Sequence, residues 1–270
     1  MKIQTLTTTG TKDTEIELPL VFSTPFRKDL IHKAVIHLTS NQFQRQGRHP
    51  TAGQDVVADS NNPPTGQGIA RIARMRGGGG GRQGQAGEVA SIRGGRQAHA
   101  PTSEKVVIKK LNKKENKLAL CSAIAATSSK QLIESRGHVL KNIDSFPLVV
   151  SDDIEKVSKA SDMKKILEAL HLTPDINRLL NRKARSGKSA LRGRATKTGR
   201  SVLFVTKDAS KISKACGSFP GVEACSVKNL SVLDLAPGAV PIRLTVYSKS
   251  AIEEISKIKS PHLELMVKLK

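Results

Sequence analysis

The sequence predicts an α/β fold: a mostly parallel sheet with helices on both faces, plus a long extended Gly/Arg-rich internal loop. Three observations support this. Four short, β-branched-rich apolar runs, 147–151, 201–206, 222–227 and 243–248, have the continuous character of parallel strands buried on both sides. Helical apolar periods fall between them, which is the alternation that builds a sheet covered on both faces. From Gln44 to Lys110 the chain holds no Leu and no aromatic residue, so this stretch has little surface with which to build a core.

In chain order, IQTL and EIEL read as strands joined by the turn TTTGTKDT. Thr24-Pro25 then opens a helix whose stripe is Leu30, Ile31, Ala34, Val35 and Leu38. Periodicity stops after Phe43 and resumes near Val106. Asn112 to Glu115 has the form of a capping box, leading a helix with Leu118, Cys121, Ile124 and Ala125 inward. Asp152-Asp153 reads as the capped start of a segment after a strand, not a catalytic pair. SDMKKILEALHL, TPDINRLLNRK and a helix near Ala209–Cys216 ended by Gly217 come next, with SAIEEISKIK as the last helix. The expected organisation is one globular domain, 1–44 and 106–270, with the loop 45–105 inserted in it. Run out and back, such a loop reaches at most about 100 Å, at ~3.3 Å per residue over half its length. A structureless insertion this long inside a compact domain needs a functional reason or is disordered.

Charge points to the partner. The chain carries a net +22 with pI near 10.2. Residues 66–96 supply +5 of this and residues 178–200 supply +9. Charge so localised implies a polyanion, with nucleic acid favoured over a membrane surface. No apolar run approaches the roughly 18 residues that cross a bilayer, and the N-terminus has no signal-peptide pattern. Cys121, Cys216 and Cys225 sit in apolar contexts, as reduced buried thiols of a cytoplasmic protein do. With one Tyr, six Phe and no Trp, base stacking on aromatics is disfavoured.

Residues 66–96 contain eleven glycines, six arginines and the single acid Glu88. Glycine is costly to order, so such arms have no independent fold until a partner holds them. In the second basic stretch Arg178, Arg182 and Arg185 recur at helical spacing. Lys183 and Lys188 lie among them, and Arg192, Arg194, Lys197 and Arg200 follow in a Gly- and Ser-rich loop. No acid intervenes between Asp175 and Asp208, which leaves the run without a local counter-charge and suited to phosphate.

Enzymatic motifs fail. Gly187-Lys188-Ser189 lacks the P-loop glycine five positions earlier, where Arg182 stands. Gly79, Gly81 and Gly84 match a dinucleotide fingerprint only because they lie in or beside a glycine run with no strand before it. The histidines and cysteines have no metal spacing. No catalytic residue, cofactor or metal is expected.

The ordered segments TGQGIARIARMRGGG, RGGRQAHAP, LALCSAIAATS, SRGHVL, RGRATKTGRSVLFV and NLSVLDLAPGAVPIRL resemble the archaeal and eukaryotic form of the fourth large-subunit ribosomal protein family. The resemblance covers essentially the whole chain. The lack of a long C-terminal extension is more similar to the archaeal form. It implies a Rossmann-like domain on the subunit exterior and a loop penetrating large-subunit rRNA, whose tip lines the nascent-peptide exit tunnel. Carried over, the tip comprises Gly66, Gln67, Gly68, Ala70, Arg71 and Arg74. Arg76 to Gly81 and Arg93 to Arg96 form the rRNA-contacting arms. By charge, Arg45, Arg48, Arg71, Arg74 and Arg82 are expected to contact rRNA as well. This chain has Gln67 where the family usually has Arg, Ala73 where the eukaryotic form has Pro, and Ala239 and Ile242 at two family glycines.

The expected function is therefore a structural constituent of the large ribosomal subunit in the cytoplasm. Its partners would be large-subunit rRNA, neighbouring ribosomal proteins and the nascent peptide, with no membrane partner. The alternative is a free regulatory RNA-binding protein, which shares the charge pattern but would be found off ribosomes.

Overall fold

The computed structural model describes residues 2–56, 58–60, 65–66, 68–76, 81–143, 145–181, 183–196, 199–240 and 242–268. Backbone proximity divides the chain into two units, 1–39 with 110–270 and the inserted 40–109.

The first unit is built on a six-stranded sheet. Its strands are β1 (Lys2–Leu6), β2 (Lys12–Glu17), β5 (Leu148–Val150), β6 (Leu203–Thr206), β7 (Glu223–Ser226) and β8 (Thr245–Ser248), in the order β2-β1-β5-β8-β6-β7. β1 and β2 form an antiparallel hairpin, and every other pairing is parallel. The apolar runs at 147–151, 201–206, 222–227 and 243–248 thus become the four strands β5, β6, β7 and β8. Side chains of β5, β6 and β8 alternate between two cores, because successive residues of a strand face opposite ways. Val149, Leu203, Val205 and Tyr247 enter one core, while Leu148, Val150, Phe204 and Val246 enter the other.

Helices cover both faces. Against the first core pack α1 (Lys28–Thr39), α2 (Lys113–Ala126), α8 (Val232–Leu235), α9 (Lys249–Ser256) and α10 (Pro261–Lys268). Against the second pack α3 (Lys130–Ser135), α4 (Ala160–Ala169), α5 (Thr173–Leu180) and α7 (Ser210–Cys216). Each fully buried Leu, Ile or Phe in these layers contributes about 1.5–3 kcal/mol.

The structure departs from the sequence reading in several places. Asn112 caps α2 without a side-chain hydrogen bond, and Glu115 instead accepts from Lys33 Nζ of α1 at 2.9 Å. A capping carboxylate is found at Ser231, whose backbone N and hydroxyl both donate to Asp234 Oδ2, at 3.0 and 2.7 Å. The last helix is α10 and not α9. Its Leu265, Met266 and Val267 run consecutively, which masks the helical period. α3 also appears, a six-residue helix too short to show periodicity.

In the second unit, β3 (Ala58–Asp59) pairs antiparallel with β4 (Arg74–Met75), and 84–87 closes on the other side of β4. Met75 N donates to Gln85 O at 2.8 Å, and Gly87 N donates to Ala73 O at 2.9 Å. Composition alone predicts bare arms here. Backbone pairing needs no apolar side chain, only small residues where chains approach. A Cβ at Gly87 would lie 2.7 Å from that of Ala58. Ala58 is the sole buried hydrophobic residue of 40–109 among the described residues.

Candidate nucleic-acid interface

In the second unit the predicted arginines divide into two sets. Arg48 donates to Gln97 Oε1 at 3.0 Å and to Ala52 O, so it ties a turn of its own unit. Arg74 donates from Nη1 to Gly84 O at 2.8 Å across the paired strands, and Arg76 lies 3.9 Å from Asp59. Arg45, Arg71, Arg82, Arg93 and Arg96 are exposed and make no ion pair among the described residues. Gly66, Gly68 and Ala70 are exposed, and both glycines adopt positive φ. Gln67 and Gly77–Gly80 lie outside the described residues, as do Arg182 and Lys197.

The basic stretch of the first unit starts on α5 and is not a continuous helix. α5 stops at Leu180, with Asn181 N returning to Asn177 O at 3.3 Å. Continuing it would stack like charges at helical spacing with no apolar face to bury. The chain instead forms a cinched loop. Arg185 N donates to Ala195 O at 2.8 Å, and inside that closure lies the single turn α6 (Lys188–Leu191). Gly187 enters that turn at φ 67°, a left-handed conformation that glycine alone adopts freely. Lys183, Arg185, Lys188, Arg192 and Arg194 are exposed, and Leu191 among them is 87% exposed.

The ends of the stretch are not without counter-charge, contrary to the sequence reading. Arg178 Nε donates to Asp175 Oδ1 at 3.0 Å, and Arg200 pairs with Glu223. Glu223 is distant in sequence and invisible to a local charge count, but β7 lies beside β6, which follows Arg200. Arg178 and Arg200 still keep 32% and 46% of their side chains exposed.

Beneath these ends lies a buried polar network that the sequence reading missed. Asp175 is fully buried and accepts from His138 Nδ1 at 3.0 Å, Val139 N at 3.0 Å and Ser201 Oγ at 2.5 Å. Burial opposes its ionisation, yet bonds from His138, Arg178 and Ser201 hold its carboxyl well below the usual range. Burial pushes the His138 imidazole down, so the ring is neutral, donating through Nδ1 and accepting from Leu244 N at 3.3 Å. The Ser, Asp and His here are no nucleophilic triad. The hydroxyl bonds the carboxylate and not the imidazole, and all three residues are buried.

Arg243, also fully buried, donates to Ser201 O at 2.6 Å, Gly221 O at 2.7 Å, Val202 O at 3.2 Å and Glu223 Oε2 at 2.6 Å. Burial, with the charge of Arg200, lowers its pKa to about 9, and it stays charged at neutral pH. Arg136 anchors the turn after α3 through Pro237 O at 3.1 Å. No group of three or more metal-ligating side chains occurs among the described residues. Among the described residues no helix is long and apolar enough to cross a membrane.

The family model for the ribosomal protein L4/L1 family matches residues 16–258. A protein of Pyrobaculum aerophilum named large ribosomal subunit protein uL4 is 42% identical over 243 residues, 89% of this chain and 84% of its own. Proteins of that name from Sulfurisphaera tokodaii and Methanospirillum hungatei are each 40% identical. The first covers 92% of this chain and 91% of itself, the second 94% and 98%. With that match spanning both the cinched basic loop and the arginine-bearing insertion, the chain belongs to the ribosomal protein L4/L1 family, in its archaeal form.

Proposed function

We propose that this chain is a structural, non-catalytic protein of the large ribosomal subunit in the cytoplasm, bound to large-subunit rRNA and to neighbouring ribosomal proteins. Membership of the family carries the reading, because the relatives it matches over nearly their whole length are named as large-subunit proteins. The exposed arginines and lysines supply the physical means. Guanidinium forks bridge phosphates of separate RNA helices, and phosphate contact releases condensed counterions.

The residues assigned to rRNA are Arg45, Arg71, Arg76, Arg82, Arg93 and Arg96 in the insertion, and Lys183, Arg185, Lys188, Arg192 and Arg194 in the basic loop. Arg178 and Arg200 contribute through their exposed portions. Arg48 and Arg74 serve chiefly to shape the insertion. The insertion 45–105 penetrates the rRNA, and its turn at Gly66, Gly68, Ala70 and Arg71 meets the nascent peptide in the exit tunnel. Gln67 belongs to that turn by its place in the insertion, although the family usually has Arg there, and Arg182 and Lys197 belong to the rRNA set through the charge of their segment.

The deciding experiment has two arms. In a sucrose gradient at high magnesium, the chain should sediment with the large subunit. Recovery only at the top of the gradient would refute the ribosomal reading. In binding to large-subunit rRNA, log K should fall by about 0.7–0.9 per phosphate contact for each log unit of salt. A flat salt response would overturn the electrostatic account.

A further inference from the structure

We propose that Asp175 is a positioning residue for the rRNA contact. It gathers both ends of the basic segment 178–200 onto one buried carboxylate, and so presents the exposed cations between them as a preformed phosphate-binding platform. This rests on the rRNA-binding reading above.

The geometry is a closed ring. Arg178, at the start of the segment, donates to Asp175 Oδ1 from Nε at 3.0 Å. Ser201, the first residue past its end, donates its hydroxyl to Asp175 Oδ2 at 2.5 Å. Arg178 Nη2 also crosses directly to Arg200 O at 3.3 Å. A second carboxylate completes the closure. Glu223 holds Arg200 from outside and Arg243 from inside, and Arg243 grips Ser201 O at 2.6 Å. Asp175 is itself immobilised by His138 and Val139, which anchor it to the turn after α3.

What the ring encloses is a segment that would not hold one shape alone. It carries nine basic residues and no acid, and its tip exposes Leu191. Self-repulsion expands such a loop, and each rotamer and backbone state it visits must be given up when RNA binds. Pinning both ends, with the Arg185–Ala195 closure above them, removes part of that cost before binding. Asp175 touches no phosphate in this scheme. It acts through the residues that do.

The test uses the full chain and transcribed large-subunit rRNA, with Asp175→Asn, Ser201→Ala and the contact control Lys188→Ala. In the free protein, amide hydrogen exchange over 183–196 should rise in Asp175→Asn and Ser201→Ala while the strands stay protected. Below the melting temperature, rRNA affinity should fall about tenfold for Asp175→Asn, and less for Ser201→Ala, with the salt slope unchanged because the phosphate contacts are the same. Lys188→Ala should instead flatten the slope. The Ser201→Ala loss should vanish when Arg185, Arg192 and Arg194 are replaced by Ala, which a merely structural role would not produce. If Asp175→Asn fails to fold, Ser201→Ala decides. Wild-type exchange and affinity in the folded variants overturn the proposal. Failure of the unaltered chain to bind rRNA would overturn the function reading alone, since the exchange measurement needs no RNA.

Discussion

Replacing Arg243 by Met tests whether a fully buried guanidinium holds the edge of the sheet together. The side chain donates to three carbonyls, of Ser201, Val202 and Gly221, and to Glu223. These losses are unequal. Val202 O keeps a bond from Glu223 N at 3.1 Å, and Gly221 O keeps one from Ser201 N at 2.8 Å. Ser201 O is left with no other donor among the described residues. An orphaned buried carbonyl costs about 1–3 kcal/mol, and each lost second bond about 0.5–1.5 kcal/mol. Relief of the buried charge's desolvation works in the opposite direction. Glu223 is not stranded, because it is partly exposed and still paired with Arg200. The expected net loss is about 2–4 kcal/mol, or roughly 5–15 °C in Tm for a unit of this size. Urea unfolding followed by far-ultraviolet circular dichroism reads it, with an unchanged m-value showing that the native state is intact. Arg243→Lys should fare little better, since one ammonium cannot span four acceptors. Stability within about 1 kcal/mol of the parent, or a gain, would refute the reasoning and show that the carbonyls re-pair without the guanidinium.

Further outcomes follow from the same network and from the division into units. His138 has its pKa depressed by burial, so the unfolded chain takes up a proton below pH ~6.5 while the folded chain resists it. Stability should be fully present above that value and fall as pH drops below it. Urea titrations at pH 7.5, 6.0 and 5.0 should show His138→Gln with a shallower decline, and equal slopes would refute the assignment. Asp175 acts lower, its contribution lost only as pH falls below the usual carboxylate value of about 3.9. Deleting 60–96 should leave the cooperative melt of the first unit nearly unchanged, because both cores draw wholly on residues of that unit. Collapse of the melt would show that the insertion supports the fold, whereas defective subunit assembly with a normal melt is the expected result.

Much of the architecture is legible in the chain. Short, β-branched-rich apolar runs such as LVV and LFV read as strands covered on both faces, and their side chains do alternate between two cores. The hairpin of β1 and β2 follows from its turn residues. What escaped was set by partners remote in sequence. Glu115 looks like a cap until α1 brings Lys33 to it. Arg178 and Arg185 look like one helix face, yet the helix ends at Leu180 where burial ends. The insertion looks shapeless, but its small residues let backbone pair with backbone.

The same division governs function. That the chain is built for a polyanion is legible without any fold, since charge count and the absence of Leu and aromatic residues from 44–110 do not depend on folding. Which cations face outward and which are engaged inside follows only from the folded packing. Asp175 meets Arg178 one helical turn away on α5, but Glu223 reaches Arg200 and Arg243 only because parallel strands β6, β7 and β8 lie side by side. The reason is physical: a buried charge must find its counter-charge in space, and neighbouring strands of a parallel sheet can be far apart along the chain.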